Sequence, residues 1–177
     1  MTKYAAFLRG VNVGGVNLKM ADVATALTDA GLADVRTILA TGNVTLDSPD
    51  AADAVRATAE KALRKQFGYD AWVLVYPIKK VRAIVDGYPF EPAVDGYQSY
   101  VTFVSDADVL DELAALTDDA GADEKIKRGP KSAGVIYWQV PKNQTLNSTI
   151  GKTMGKKRYK SSTTTRNLRT LVKVIRD

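Results

Sequence analysis

The stretch Val35-Arg36-Thr37-Ile38-Leu39-Ala40-Thr41-Gly42-Asn43-Val44-Thr45-Leu46-Asp47 decides the fold. Val35 to Leu39 is rich in strand-forming residues, Thr41-Gly42-Asn43 is a turn signal, and Val44 and Leu46 alternate with Thr45 and Asp47. Two such runs joined by turn residues read as a hairpin. Upstream of it, Met20, Val23, Ala24, Leu27 and Ala30 share one helical face, and Gly31 is a natural stop. Downstream, Ser48-Pro49-Asp50 opens a helix with Val55, Ala59, Ala62 and Leu63 on one face, ending near Gly68. Outside both helices lie apolar runs, Tyr4 to Leu8 and Ala71 to Tyr76. The order βαββαβ places two βαβ units on one sheet, the ferredoxin-like arrangement.

The pattern then restarts. Ile78, Val81, Ile84 and Val85 suggest a short helix, and the stretch Gly87 to Gly96, with Pro89 and Pro92, reads as a linker. Tyr100 to Val104 is a strand, and Asp106 caps a helix that turns Val109, Leu110, Leu113 and Leu116 inward. Glu124 to Arg128 and Gly134 to Val140 form a strand pair. After Pro141 the chain is polar, and Leu168, Leu171, Val172 and Ile175 mark a final helix with Thr163 or Thr164 as its N-cap. The expected class is α+β, with two ferredoxin-like βαββα halves and antiparallel sheets. Residues 1–88 hold the first half with its short following helix, and residues 97–177 hold the second with a basic C-terminal segment.

The chain of 177 residues contains neither Cys nor His. That excludes disulfides, Cys or His metal ligation, a catalytic thiol and any Ser-His-Asp triad. A purely carboxylate Mg²⁺ site stays open on composition, but no motif marks one, so no metal site and no cofactor are expected. No apolar run approaches the ~20 residues that cross a bilayer. Met1-Thr2-Lys3-Tyr4 enters a strand-like run directly, so a cytoplasmic protein without a membrane partner is expected. The net charge of +5 hides an asymmetry. Residues 1–124 carry 11 Lys/Arg and 19 Asp/Glu, a net of −8, whereas residues 125–177 carry 14 Lys/Arg and one acid, a net of +13. Such a split suggests a polyanionic partner, or docking of the basic segment on acidic residues of its own chain or of a second copy in a homo-oligomer.

Three motifs lie in order along the chain: Phe7-Leu8-Arg9-Gly10-Val11-Asn12-Val13-Gly14-Gly15 followed by Lys19-Met20, then Thr41-Gly42-Asn43, then Thr164-Thr165-Arg166-Asn167. Together they resemble the signature of a bacterial family called domain of unknown function 1697. That resemblance implies a duplicated ferredoxin-like fold and no particular activity. The family's usual Trp after the last motif is Leu168 here.

The chemistry these motifs permit is anion binding. Gly10, Gly14 and Gly15 allow close backbone approach, and Arg9 offers a bidentate donor. Antiparallel pairing of the first and third strands brings Arg9, Asn12 and Asn43 toward one end of the sheet. The candidate ligand-binding set is therefore Arg9, Gly10, Asn12, Gly14, Gly15, Thr41, Gly42, Asn43, Thr165, Arg166 and Asn167, expected where the two halves meet. Lys156, Lys157, Arg158, Tyr159 and Lys160, with Arg169 and Lys173 on a basic stripe that also takes in Arg166 and Arg176, could contact nucleic-acid phosphates, with Tyr159 stacking on a base. Gly151-Lys152-Thr153 imitates the end of a phosphate-binding loop, but Leu146 stands where that motif needs Gly. Three readings follow: an anion-binding module for nucleic acid or a phosphorylated small molecule; an enzyme without His or Cys acting on a phosphate or carboxylate substrate; or a self-associating structural protein.

Overall fold

The computed structural model describes residues 1–9, 17–130 and 132–176. The chain divides into two compact units, Met1–Arg82 with Val172–Asp177, and Ala83–Leu171. The first unit runs β1 (Thr2–Arg9), α1 (Met20–Asp29), β2 (Ala33–Ile38), β3 (Asn43–Ser48), α2 (Ala52–Phe67) and β4 (Trp72–Pro77), and takes in the start of α3 (Ile78–Asp86). Its four strands pair antiparallel in the order β2-β3-β1-β4, which is the ferredoxin-like order. On one face, Tyr4, Ala6, Leu8, Val44, Leu46, Val73 and Val75 pack on Val23 and Leu27 of α1 and Val55, Ala59 and Leu63 of α2. Each leucine buried in this way contributes about 1.5–3 kcal/mol. The alternate residues Ala5, Phe7, Asn43, Thr45 and Leu74 are buried as well. A sheet buried on both faces accounts for the unbroken apolar run at Tyr4 to Leu8, where a one-sided sheet would alternate. Gly68, at φ +65°, closes α2, and its N–H donates to Arg64 O at 2.9 Å.

The second unit takes in the end of α3, then β5 (Tyr97–Val104), α4 (Ala107–Ala114), β6 (Lys125–Arg128), β7 (Val135–Pro141), α5 (Thr149–Met154), β8 (Thr163–Asn167) and the start of α6 (Leu168–Arg176). Its order, β6-β7-β5-β8, repeats that of the first sheet strand for strand. Asp106 caps α4, accepting from the N–H groups of Asp108 and Val109 at 2.8 and 3.1 Å. The segment 87–96 forms no helix or strand, but it is fastened to the sheet. Gln139 Nε2 donates to Glu91 O, Ser99 Oγ to Pro92 O, and Lys142 N to Gly96 O, at 2.8, 3.1 and 2.8 Å. No helix among the described residues is long and apolar enough to cross a membrane.

One local expectation is corrected. Thr163 and Thr164 do not cap the last helix; they open β8, an edge strand whose Thr163 and Thr165 pair with Val104 and Thr102 of β5. β-branched threonines suit a strand beside a partner. The cap is Asn167, whose Oδ1 accepts from Arg169 N–H at 3.0 Å. The second half therefore gains a fourth strand, β8, before its last helix, matching β4 in the first half. Along α6, Leu168, Leu171 and Val174 are the buried positions among the described residues.

Candidate functional site

Arg9 ends the central strand β1, and Asn43 opens its neighbour β3. The register pairs Phe7 with Asn43, so Arg9 and the Thr41-Gly42-Asn43 turn lie at one end of the first sheet. Phe7, Arg9 and Asn43 share a face, because side chains alternate along a strand. Leu8 N–H donates to Gly42 O at 2.8 Å and ties the turn to β1. Within the turn Gly42 has φ +86° and Leu39 φ +60°, a left-handed conformation that costs a leucine about 1–2 kcal/mol. Asn43 holds this geometry: it is fully buried, and its Nδ2 donates to Ile38 O at 3.0 Å and to Thr41 Oγ1 at 2.7 Å. Arg9 is half-buried, and burial pulls the pKa of its guanidinium below the ordinary arginine value. Gly10, Asn12, Gly14 and Gly15 lie outside the described residues.

The third motif sits in the second unit, where strand alternation divides it. Thr165 faces the helices and lies 2.8 Å from Thr102 Oγ1, which also accepts from Trp138 Nε1 at 2.9 Å. Arg166 points to the opposite face, is 8% exposed, and donates through Nη1 to Thr164 Oγ1 and Thr165 O at 2.6 and 2.9 Å. Asn167 returns to the helix face, where its Nδ2 donates to Gln98 Oε1 at 2.9 Å while its Oδ1 caps α6. Asn167 and Arg169 line a cleft of about 200 Å³ with Lys142. Sequence reasoning passed over Lys142; its only signal was its charge within the acid-free segment.

The basic cluster is partly committed to its own unit. Tyr159 is buried and packs with Ile150 and Met154, so its ring is not open to a base. Arg158 donates through Nε and Nη2 to Glu112 Oε2 and Oε1, at 2.9 and 2.5 Å. Lys156, Lys157, Lys160, Arg169 and Lys173 are exposed. Arg166 belongs to β8, so the basic stripe on α6 begins at Arg169. The charge asymmetry also changes meaning once it is counted by folding unit. Residues 83–171 hold 12 Lys/Arg and 11 Asp/Glu, a net of +1, and the remaining residues hold 13 and 9, a net of +4.

The Gly151-Lys152-Thr153 stretch has a structural explanation. Ser148 caps α5, accepting from Gly151 N–H at 3.1 Å and donating to Thr145 O at 2.7 Å. A side chain at Gly151 would run into the Thr145 carbonyl oxygen and lie 2.8 Å from Ser148 Oγ. The anion at this helix start is internal: Glu124 accepts from Thr149 N–H at 2.9 Å and from Gly121 N–H at 3.2 Å. Burial pushes the Glu124 carboxyl up, but the bonds from Thr149 and Gly121 and the charge of Lys152 outweigh it and hold the carboxyl below the ordinary glutamate value.

Comparison with known proteins bears on the fold and the family. A conserved bacterial protein, SP0830 from Streptococcus pneumoniae, superposes with a TM-score of 0.79 at 22% identity, over 99% of this chain and 97% of that one. At that identity the likeness speaks for the fold alone. No curated protein matches the chain. The model of a family described as "Protein of unknown function (DUF1697)" matches residues 1–133, which include the Arg9 and Thr41-Gly42-Asn43 motifs, and the chain belongs to that family.

Proposed function

We propose that the protein is an anion-binding module for a phosphate- or carboxylate-bearing small molecule, with Arg9 as its principal recognition group. The observation that carries this reading is the half-buried Arg9 guanidinium at the end of a central strand, beside the braced Thr41-Gly42-Asn43 turn. A guanidinium recognises a phosphate or carboxylate through paired, charge-assisted hydrogen bonds, which its planar fork matches in geometry. Asn43 and Thr41 act in this reading as positioning residues. Gly10, Asn12, Gly14 and Gly15 are assigned to the same site on their sequence alone.

A small molecule is favoured over nucleic acid. Tyr159 is buried, Arg158 is engaged by Glu112, and the second unit carries a net of only +1. A protein that tracks a phosphate backbone needs exposed, surplus cations. The test is calorimetric titration of the full chain at low salt with inorganic phosphate, citrate and mixed-sequence RNA, repeated on Arg9→Lys. That substitution keeps the charge and removes the planar fork. The expected result is binding of phosphate or citrate that weakens by about tenfold in the variant, a difference of about 1.4 kcal/mol. Salt-dependent RNA binding that ignores Arg9, or no binding of either small anion, overturns the reading.

A further inference from the structure

We propose that the cleft in the second unit is a separate site for a small organic oxyanion that also carries an amino or hydroxyl group. It uses none of Arg9, Thr41, Gly42 or Asn43, so it stands or falls apart from the reading above. The cleft measures about 200 Å³, and its lining includes Asp95, Tyr97, Ser99, Lys142, Asn167 and Arg169.

Both walls are held in place by the protein's own hydrogen bonds. On one side the segment from Pro92 is clamped by Ser99 Oγ on Pro92 O, Tyr97 N on Val94 O and Lys142 N on Gly96 O, at 3.1, 3.1 and 2.8 Å. Ser99, itself buried, is oriented by Gln139 Nε2 at 3.0 Å. On the other side, Asn167 spends its amide on Gln98 and its oxygen on Arg169 N–H. Asn167 is therefore a positioning residue that fixes the start of α6, and with it the backbone of Arg169. A cleft formed in this way needs little ordering on binding.

What sets the cleft apart is that charges of both signs, Asp95 with Lys142 and Arg169, line one small space. Arg158 and Arg128 each meet a carboxylate, from Glu112 and Asp111. Lys142, Arg169 and Asp95 are exposed, and among the described residues none of the three has an ion-pair partner. Two cations and one carboxylate thus share a small cleft without neutralising one another. The cations suit an oxyanion, Arg169 as a fork and Lys142 as a point charge. Asp95 accepts only, so it asks for a donor on the same ligand. The volume lies below the roughly 300–1,000 Å³ of pockets that enclose drug-sized molecules. The fitting class is therefore an amino or hydroxy acid, or the phosphate ester of one, and not a nucleotide.

The test is an amide-resolved NMR titration of the full chain with O-phosphoserine, with serine and inorganic phosphate as separate arms. O-Phosphoserine is expected to shift the amides of Gly96, Tyr97, Ser99 and Arg169. The Lys142→Ala/Arg169→Ala double variant should weaken that binding by at least about tenfold. Asp95→Asn should weaken O-phosphoserine several-fold while leaving inorganic phosphate no weaker. Lys127→Ala, which removes a cation from β6 outside the cleft, should change nothing. Shifts from serine alone mark the carboxylate as the recognised group, and shifts from phosphate alone mark the phosphate; either supports the oxyanion site. Absence of cleft shifts from all three probes up to about 10 mM overturns the proposal, as does equal weakening by Lys127→Ala. If Arg9→Lys abolishes O-phosphoserine binding and the double variant does not, the cleft falls while the Arg9 site survives.

Discussion

Gly151→Ala sets two physical effects against each other with opposite signs. By intrinsic propensity, replacing a helical glycine with alanine should stabilise the protein by up to about 1 kcal/mol. The local geometry reverses this. A Cβ at position 151 collides with the Thr145 carbonyl oxygen and comes within 2.8 Å of Ser148 Oγ. The carbonyl is backbone and cannot rotate away, so the loop before α5 must shift. Overpacking of this kind costs about 1–3 kcal/mol. The shift would also break the Ser148 bonds to Gly151 N–H and Thr145 O, and loss of a cap costs about a further 1 kcal/mol. Net destabilisation of about 1–3 kcal/mol should lower Tm by roughly 2–12 °C for a chain of this size. Circular dichroism melts of the two proteins under one buffer measure it. An unchanged or raised Tm would refute the packing account of Gly151 and reopen a ligand role for Gly151-Lys152-Thr153.

Two further outcomes test the fold's polar interior. Thr45 is fully buried, and its Oγ1 has no hydrogen-bond partner among the described residues. Thr45→Val should therefore raise stability by about 1 kcal/mol in urea titrations, and a loss of stability would show that the hydroxyl is engaged. Glu124 has a carboxyl held below its ordinary value. Its stabilising contribution is present above the unfolded-state pKa and is lost as pH falls through the folded-state value. Below about pH 4.5, Glu124→Gln should show a shallower fall of Tm than the parent protein; parallel curves would contradict this.

The fold was legible where its signals are local. The hairpin at Val35 to Asp47 shows period-two alternation around a glycine turn, and α1 and α2 show period-three-to-four apolar faces. What escaped was decided by distant partners. Thr163 to Asn167 has the composition of a cap or of a strand, because hydroxyl residues serve both, and only pairing with β5 selects the strand. The unit boundaries fall inside α3 and α6, whose helical pattern runs through them without a break. The charge asymmetry follows the same rule: of its two readings, docking of basic residues on the chain's own acids is seen where Arg128 and Arg158 meet Asp111 and Glu112. The cut at residue 124 is where acidic sequence gives way to basic sequence, yet residues 83–124 and 125–171 fold into one unit that is nearly neutral.

The motif asparagines carry this distinction into the site. Their presence was readable from the sequence, but their roles were not, because an exposed ligand contact and a buried brace look identical in a string of letters. Asn43 is committed to Ile38 and Thr41, and Asn167 to Gln98 and Arg169. Each stands beside a cation at the end of a strand or the start of a helix, Arg9 in one unit and Arg169 in the other. In both proposals the asparagine fixes the backbone and the cation meets the ligand. The two kinds of residue should therefore separate by experiment: loss of an asparagine appears first in stability, because removing an engaged amide leaves its partners unsatisfied. Loss of Arg169, which is exposed, appears in binding with the melt unchanged.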